Sequence, residues 1–427
     1  MSSLAKKSFR VLLGRGSVSV FSILFTIYFA YTFAKPIFAF IALYETAVSL
    51  AKVFCDLGLH FRVIREAPPL INAGREREAY AKIVLPSAAM RFGVGVIVCI
   101  LFYVLALLAS PWLRPQLEDL DLNFIAIVCA VHMLLTLVEA ILIPIFAIQQ
   151  RFGMDAFLES AAALLENVFA LICYVLWGQD HYFTGIALGI AIIVLVRFVM
   201  IRRVLGFWNT SDFSMKEMGR VLREYFPFYL RKFFRIGFVQ GEQLLIPILL
   251  PLGQLANFKL AKKCSGFLKN YVQAFSDPLM IKLSKSRNLG NRKEFVKTFL
   301  VFTVPVPLVL ALFSPWIMKI VGGAKYAESW YILAILYVSY VFYALSQLQM
   351  TVISIFGKPT EFLARDAAGG VVGLLSTFGM ILLFQEYGIA WGQLISYLVL
   401  YIVGYRISQR YIDAAQPVTI ESESSKS

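Results

Sequence analysis

Four lysines lie within a single short segment, 256–275, of an otherwise strongly apolar sequence of 427 residues. At 100° per residue, a helix places them on one face about 120° wide, together with three uncharged residues. This lysine face consists of Lys259, Lys262, Lys263, Gly266, Lys269, Asn270 and Gln273. A lysine ammonium group binds phosphate as an adaptable point charge. The spacing therefore predicts a surface for an anion large enough to need several donors.

The lysine face is long compared with a membrane. Lys259 and Lys269 are about 15 Å apart along a helix, roughly half the thickness of the hydrocarbon core. The four amines therefore cannot all reach one membrane surface, and the face must meet protein or water. No acidic residue of the same face neutralises them, and like charges one turn apart disfavour each other's protonated form. An amphipathic helix lying on anionic lipid is the alternative, but the neighbouring apolar segments favour a crossing helix.

Further charges lie at membrane depth, where ionisable side chains are costly and mark functional paths by default. In the segment before the lysine face, Arg231, Arg235 and Glu242 fall close together by the same angular count. An arginine guanidinium offers a planar fork that suits phosphate. These features predict a water-filled cationic cavity.

The first half of the chain has intramembrane charges of its own. Glu45, Lys52 and Asp56 share one side of a segment and predict a self-neutralising polar stripe, with a transport role as the alternative. Glu159 and Glu166 stack two turns apart and are expected to balance cations across the cavity. Isolated charges in the neighbouring segments are Arg91, Glu139 and Arg197.

The composition places these residues in an integral membrane protein. The chain is 59% hydrophobic and 15% charged, with a mean hydropathy of +0.74, whereas soluble domains are nearer half apolar and a quarter charged. About twelve segments are long and apolar enough to cross the hydrocarbon as helices. They are 10–34, 36–57, 82–109, 122–149, 155–177, 182–203, 221–248, 252–282, 295–320, 328–356, 361–385 and 388–411. The predicted fold class is an all-α polytopic membrane protein.

Positive charge is concentrated on one side of these spans. The loops on the side of the N-terminus carry clusters of arginine and lysine, whereas the opposite loops carry few. This positive-inside pattern predicts cytoplasmic termini, and much of the net charge of +14 is expected to face the anionic inner leaflet. The longer cytoplasmic stretches, after the second, sixth and eighth spans, are expected to be linkers. The outer loops are too short to fold a catalytic domain.

An internal echo suggests two related halves. GIALG opens one span at 185–189 and GIAWG opens another at 388–392, and each lies equally far from an arginine, Arg203 or Arg406. Such a repeat predicts two six-helix lobes. The predicted boundaries are 1–203 for the N-terminal lobe, 204–220 for a cytoplasmic linker, 221–411 for the C-terminal lobe and 412–427 for a disordered tail. The alternative is that small residues simply recur in membrane helices.

Several segments carry a family resemblance. They are GEQLLIPILLPLGQLANFKLAKK from Gly241, VGGAKYAESWYILAILYVSYVFYALSQLQMTVISIFGKP from Val321, YGIAWGQLISYLVLY from Tyr387, and CDLGL at 55–59. With them the chain resembles the polysaccharide-transporter branch (Wzx-like, O-antigen flippases) of the multidrug/oligosaccharidyl-lipid/polysaccharide (MOP) flippase superfamily. Glu242 stands where this family commonly has aspartate, and the family's usual glycine at the start of the second span is missing.

The resemblance implies a flippase of the bacterial cytoplasmic (inner) membrane, not an enzyme, that moves polyprenyl-diphosphate-linked glycans outward by alternating access. Its binding residues for the diphosphate or acidic sugars would be Arg231, Arg235, Lys259, Lys262, Lys263 and Lys269. Candidates for cavity lining, or for coupling to a proton or sodium ion, are Glu242, Lys52, Glu45, Arg91, Glu159 and Glu166. For Glu242, an ion pair with Arg235 is the alternative. The expected partners are lipid-linked glycan, membrane lipids and polysaccharide assembly enzymes, with no nucleic acid and no cofactor.

Other classes handle related chemistry. A multidrug antiporter of the same superfamily would share the fold but is expected to need an acidic or aromatic pocket. A membrane glycosyltransferase, ligase or polymerase would act on the same lipid-linked sugars, but such enzymes usually need a sizeable outer loop with catalytic residues. A major-facilitator permease would carry a Gly-Asp-Arg signature that FRVIREAPPLINAGREREAY lacks. The five cysteines and three histidines lack metal-ligand spacing, which disfavours a metal enzyme.

Overall fold

The chain folds as an all-α protein, as the sequence predicts. The computed structural model describes residues 21–117, 120–148, 152–205, 215–286, 299–301 and 303–415, and this part of the chain contains no strand. Its helices of eight or more residues are α1 (Phe21–Thr32), α2 (Lys35–Asp56), α3 (Leu59–Asn72), α4 (Leu85–Leu113), α5 (Leu122–Ile148), α6 (Phe152–Trp177), α7 (Tyr182–Leu205), α8 (Met215–Leu249), α9 (Leu252–Ser286), α10 (Pro305–Leu312), α11 (Ser314–Tyr326), α12 (Trp330–Phe356), α13 (Pro359–Phe384) and α14 (Tyr387–Ala415).

Hydrophobic length confirms a multi-pass membrane protein. Within the described residues, eight helical stretches are long and apolar enough to cross a membrane. Helices α8 and α9 are not among them, although each has 35 residues. At 1.5 Å per residue each is about 52 Å long, well beyond the hydrocarbon thickness. Their many polar side chains therefore need partners other than lipid.

The ninth predicted span, 295–320, is wrong as a single helix. Helix α10 ends at Leu312 and α11 begins at Ser314, and Phe313 between them has φ −87° and ψ 0°. Pro315 follows immediately. Because proline has no N–H group and its ring clashes with the preceding turn, the first helix stops before it and a second one starts.

The stretch after the second span is a helix, α3, rather than the expected linker. Its buried residues Leu59, Val63 and Ala67 recur every four positions and therefore lie on one face. Val63 and Ala67 belong to a hydrophobic core that includes Ile83 and Leu142. The apolar face is short and is interrupted by charged residues. It therefore does not have the long apolar stretch by which a membrane span is recognised in a sequence.

The described residues form two compact units. The first comprises 21–25 and 40–236, and the second comprises 26–39 and 237–415. Helices α2 and α8 therefore each contribute residues to both units. The lobe boundaries drawn from the repeat stay a prediction.

The two echoed glycine pairs have the same packing role, each in its own unit. A Cβ atom on Gly189 would lie 2.5 Å from the backbone nitrogen of Glu166 in α6. A Cβ atom on Gly392 would lie 2.6 Å from Cα of Thr377 in α13. Gly185 and Gly388 meet the same partner helices one turn away, again at the backbone. In both units the last helix thus touches the preceding one backbone to backbone, as small-residue pairs allow in membranes.

A side chain at Gly58 is expected to destabilise the protein. Its φ is +76°, and a Cβ atom there would lie 2.6 Å from the carbonyl oxygen of Tyr225 in α8. Gly74 is a matched control, because its φ is +73° but no atom lies within 4 Å of its Cβ position. Alanine at either site bears the left-handed backbone cost of about 1–2 kcal/mol, but only Gly58→Ala adds overpacking of about 1–3 kcal/mol.

We therefore expect Gly58→Ala to lower the free energy of unfolding more than Gly74→Ala does. Denaturant unfolding of the purified protein in detergent micelles measures both variants. Equal losses of unfolding free energy for the two variants would show that the contact with Tyr225 does not affect stability.

Candidate functional site

Helix α9 carries all four lysines of the predicted face, and its burial changes along its length. Every residue from Leu255 to Ala261 is buried. Further along, Cys264, Leu268 and Val272 form a buried stripe at four-residue spacing, and most other positions are half-buried or exposed. Helix α9 packs mainly against α12 in the second unit. The lysine face is therefore divided into a packed beginning and an open remainder.

Lys259 belongs to the packed beginning. It is only 7% exposed, and its Nζ lies 5.1 Å from the ring centroid of Phe38 in α2. A cation over an aromatic face is stabilised by the ring quadrupole. In this conformation Lys259 is not open to a large anion.

Lys262 forms an ion pair with the acid of α8. Its Nζ lies 3.8 Å from Oε2 of Glu242, whose side chain is 1% exposed, while the lysine side chain is 22% exposed. Neither carboxylate oxygen of Glu242 has a hydrogen-bond partner among the described residues. The pair is thus close but not tightly bonded, and it leaves a buried carboxylate with unused acceptor capacity.

Lys263 and Lys269 form the open part of the face. Lys263 is half-buried and Lys269 is exposed. Asn270 and Gln273, on the same face, are half-buried. These two lysines lie on the part of the face where α9 is not fully packed.

Three tyrosines lie near the far end of the lysine face. The ring centroids of Tyr340 and Tyr343 are 5.7 Å apart, and that of Tyr397 lies 5.2 Å from Tyr343 and 6.2 Å from Tyr340. Gln273 Nε2 lies 3.5 Å from the hydroxyl of Tyr343, at the limit of a hydrogen bond. We call these three residues the tyrosine cluster. The cluster was not predicted, although the spacing in YVSYVFYALS was an available signal for Tyr340 and Tyr343.

Of the two arginines predicted to bind cargo, the structure describes the side chain of one. Arg231 is half-buried in α8, within the first unit. The side chain of Arg235 lies outside the described residues, so its predicted approach to Glu242 stays a prediction. The ion partner that the structure gives Glu242 is Lys262.

The polar stripe predicted on α2 is wrong in its pairing. Asp56 is 1% exposed and pairs with Lys232 at 2.8 Å and with Arg91 at 3.3 Å. Lys52 is not its partner. Arg91, predicted to be isolated, is therefore neutralised by a residue 35 positions away, and two cations converge on one buried carboxylate.

Glu139 and Arg197, also predicted to be isolated, lie together in the first unit. Nη2 of Arg197 is 3.6 Å from Oε1 of Glu139, and Arg197 is fully buried. This pair joins α5 to α7. Burying either charge alone would be costly, which explains why each needs the other.

The remaining acidic candidates differ in exposure. Glu45 and Glu159 are exposed, whereas Lys52 and Glu166 are half-buried. Glu166 lies within electrostatic range of Lys52, Glu139 and Glu45. Of the two glutamates predicted to stack, Glu159 is therefore open to the surroundings of the protein, whereas Glu166 is partly enclosed by other side chains.

A further buried ion pair lies in α13 and was not predicted from the sequence. Arg365 and Asp366 are adjacent in α13, each 3% exposed, and Nη1 of the arginine donates to Oδ1 of the aspartate at 2.9 Å. Nη2 also donates to the carbonyl oxygen of Ser346 in α12. These contacts hold α13 against α12 and therefore stabilise the fold.

Metal-ligand geometry is not seen in the described part of the chain, where no three His, Cys, Asp or Glu side chains are grouped to hold an ion. All five cysteines are buried and unpaired.

Comparisons with known proteins identify the fold. No family model and no curated protein matches the chain. Among solved structures, the lipid II flippase MurJ in an inward closed conformation matches with TM-score 0.76 at 13% identity, covering 93% of this chain and 87% of that one. An inward-facing multidrug resistance transporter of the MATE family, in the MOP superfamily, matches with TM-score 0.67 at 13% identity, covering 94% and 96%.

A third match is a MOP superfamily transporter from Pyrococcus furiosus, described as having a binding pocket of reverse polarity, with TM-score 0.63, 13% identity and coverage of 96% and 95%. This chain thus has the fold of MOP superfamily transporters. These identities are too low to assign a substrate or a branch of the superfamily, so membership of the polysaccharide-transporter branch stays a prediction.

Proposed function

We propose that this protein is a flippase that moves a polyprenyl-diphosphate-linked oligosaccharide or polysaccharide repeat unit across the bacterial cytoplasmic membrane. The observation that carries the proposal is the open part of the lysine face on α9, set in a transporter fold. Lys263 and Lys269 offer two ammonium groups roughly 10 Å apart along the helix. A diphosphate that carries a bulky sugar suits two such separated point charges.

The neighbouring side chains suit a glycan. Asn270 and Gln273 continue the open face, and Gln273 approaches the tyrosine cluster. Amide groups and tyrosine hydroxyls hydrogen-bond sugar hydroxyls, while tyrosine rings offer an apolar surface. A diphosphate at the lysines therefore places its first sugars beside groups that can bind them.

Charge sign argues against the multidrug antiporter. A pocket for cationic drugs is expected to be acidic or aromatic. The tyrosine cluster is aromatic, but the acid that contacts the lysine face, Glu242, is buried and paired with Lys262. An anionic cargo relieves the repulsion among the lysines, whereas a cationic one would add to it.

Glu242 is the residue we propose for ion coupling. Its carboxylate is buried without a hydrogen-bond donor among the described residues. When cargo draws Lys262 toward its phosphates, the carboxylate loses the one ion partner that it has among the described residues. It then takes up a proton or a sodium ion, which links cargo binding to cation binding.

Transport follows an alternating-access scheme in this proposal. The diphosphate and glycan enter from the cytoplasm, the polyprenyl tail stays in the bilayer, and the site then opens outward. Both termini remain cytoplasmic. Enzymes of polysaccharide assembly would supply the cargo on one side and consume it on the other.

Reconstituted liposomes test the proposal directly. A lipid-linked glycan with a fluorescent sugar is placed in both leaflets, and a membrane-impermeant quencher reports its movement between them. We expect the wild-type protein to raise the relocation rate at least about tenfold over protein-free liposomes, with the glycan recovered unchanged. A chemically altered glycan would indicate an enzyme, and relocation at the protein-free rate would contradict a flippase.

A further inference from the structure

The first unit contains an apolar cavity of about 190 Å³ between α2, α4 and α5. Each helix supplies residues at three- and four-residue spacing, so one face of each helix lines the space. Four alanines contribute to the lining, namely Ala47, Ala106, Ala109 and Ala126. Three helix faces with larger side chains at these positions would close the gap. The cavity therefore exists because these four positions carry small side chains.

The lining of the cavity is not suited to bind a water molecule. The hydroxyl of Tyr44 already donates to the carbonyl oxygen of Cys129 at 3.2 Å and contacts Nδ1 of His132. Ser110 Oγ donates to the carbonyl oxygen of Leu107 at 2.8 Å. A buried water needs two to four polar partners. With the polar groups of the lining satisfied by the protein, an occupant must be apolar.

One lining residue of the cavity also belongs to an exposed apolar surface of α4. Leu105 lines the cavity and is 54% exposed. Leu101 and Leu108, on the neighbouring turns of α4, are also exposed. Helix α4 belongs to the most hydropathic of the candidate spans in the described chain, and little of it is buried. In a helix that crosses a membrane, an exposed leucine at such a position would contact hydrocarbon.

We propose that the cavity holds a methyl-branched segment of the polyprenyl tail of the cargo. This inference rests on the proposed function, which supplies the lipid-linked cargo. A cavity of about 150 Å³ lined by aliphatic and aromatic residues holds benzene, so this one has room for about one isoprene unit.

The position of the cavity suits the end of transport. It lies where α4 ends and α5 begins, which is the side that the charge pattern predicts to be outer. A tail segment held there stays attached to the first unit while the headgroup leaves the lysine face. The cavity would thus retain the carrier lipid beside the protein after the glycan has crossed.

Photocrosslinking tests the inference. The full-length protein in liposomes is irradiated with a long-chain polyprenyl phosphate that carries a diazirine in its tail, and the adducts are mapped by peptide mass spectrometry. We expect adducts on the lining residues of α2, α4 and α5. Ala109→Phe fills the space and is expected to lower this labelling about tenfold, whereas Leu108→Phe, on the exposed side of the same helix, leaves it unchanged. Ala106→Leu provides a second, milder filling variant.

The outcomes separate the inference from the proposed function. No labelling of the lining in a protein that relocates glycan would overturn the cavity assignment and leave the flippase intact. Labelling by a phosphatidylethanolamine with an acyl diazirine that excess polyprenyl phosphate does not reduce would also overturn it. Labelling by the polyprenyl probe without glycan relocation would support the site and contradict the proposed function.

Discussion

Replacing Lys263 and Lys269 together with glutamine is expected to abolish glycan relocation while leaving the protein folded in the membrane. Both side chains lie on the open part of the lysine face, so their loss opens no cavity. Hydrogen bonds to charged groups contribute about 1.5–3 kcal/mol each. Loss of two such bonds weakens cargo binding by at least about a hundredfold. The liposome relocation assay measures the effect.

Lys319→Gln is the matched control. Lys319 is an exposed lysine of α11 in the same unit and does not belong to the lysine face. Its replacement removes one positive charge and is expected to leave relocation unchanged. Full relocation by the double variant, with the same amount of folded protein in the membrane, would remove the basis for anion binding by α9.

Replacing Lys262 alone with methionine is expected to destabilise the protein by about 3–5 kcal/mol, because it leaves the buried carboxylate of Glu242 without its ion partner. Adding Glu242→Gln to that variant removes the unpaired charge. The double variant is therefore expected to recover most of the lost free energy of unfolding. Denaturant titration of the four proteins of this cycle in detergent measures the coupling.

The same experiment also tests whether the carboxylate of Glu242 is charged in the folded protein. If Lys262→Met and the double variant unfold at the same denaturant concentration, the carboxylate is protonated or otherwise neutral in the folded protein. The proposed exchange between Lys262 and a coupling cation would then lose its starting point. Glu242→Gln alone, which leaves Lys262 unpaired but partly exposed, is expected to cost less than Lys262→Met.

Helix positions and the lysine pattern could be predicted because both depend on local sequence. The segment 252–282 begins at the same residue as α9 and ends a few residues short of it. The angular count also placed Lys263 and Lys269 on a face that remains accessible. Helical periodicity fixes which residues share a face, whatever the rest of the chain does.

Ion partners could not be predicted because they depend on contacts between distant helices. Asp56 pairs with Lys232, which is 176 positions away, and an angular count within α2 selects Lys52 instead. The division of the lysine face has the same origin. Lys259 is closed off by Phe38 from the start of α2, and nothing in the local sequence of α9 signals that contact. Pairing across helices follows from packing, which local periodicity leaves open.

The glycine pairs limit how each unit can deform. Where two helix backbones touch without side chains between them, neither helix can slide along the other, because each step would drive a Cα atom or a carbonyl group into its neighbour. Helices α6 and α7 are thus fixed in register in one unit, and α13 and α14 in the other. Any structural change within a unit would carry each pair as one rigid body, and the bending would fall on helices that lack such backbone contacts.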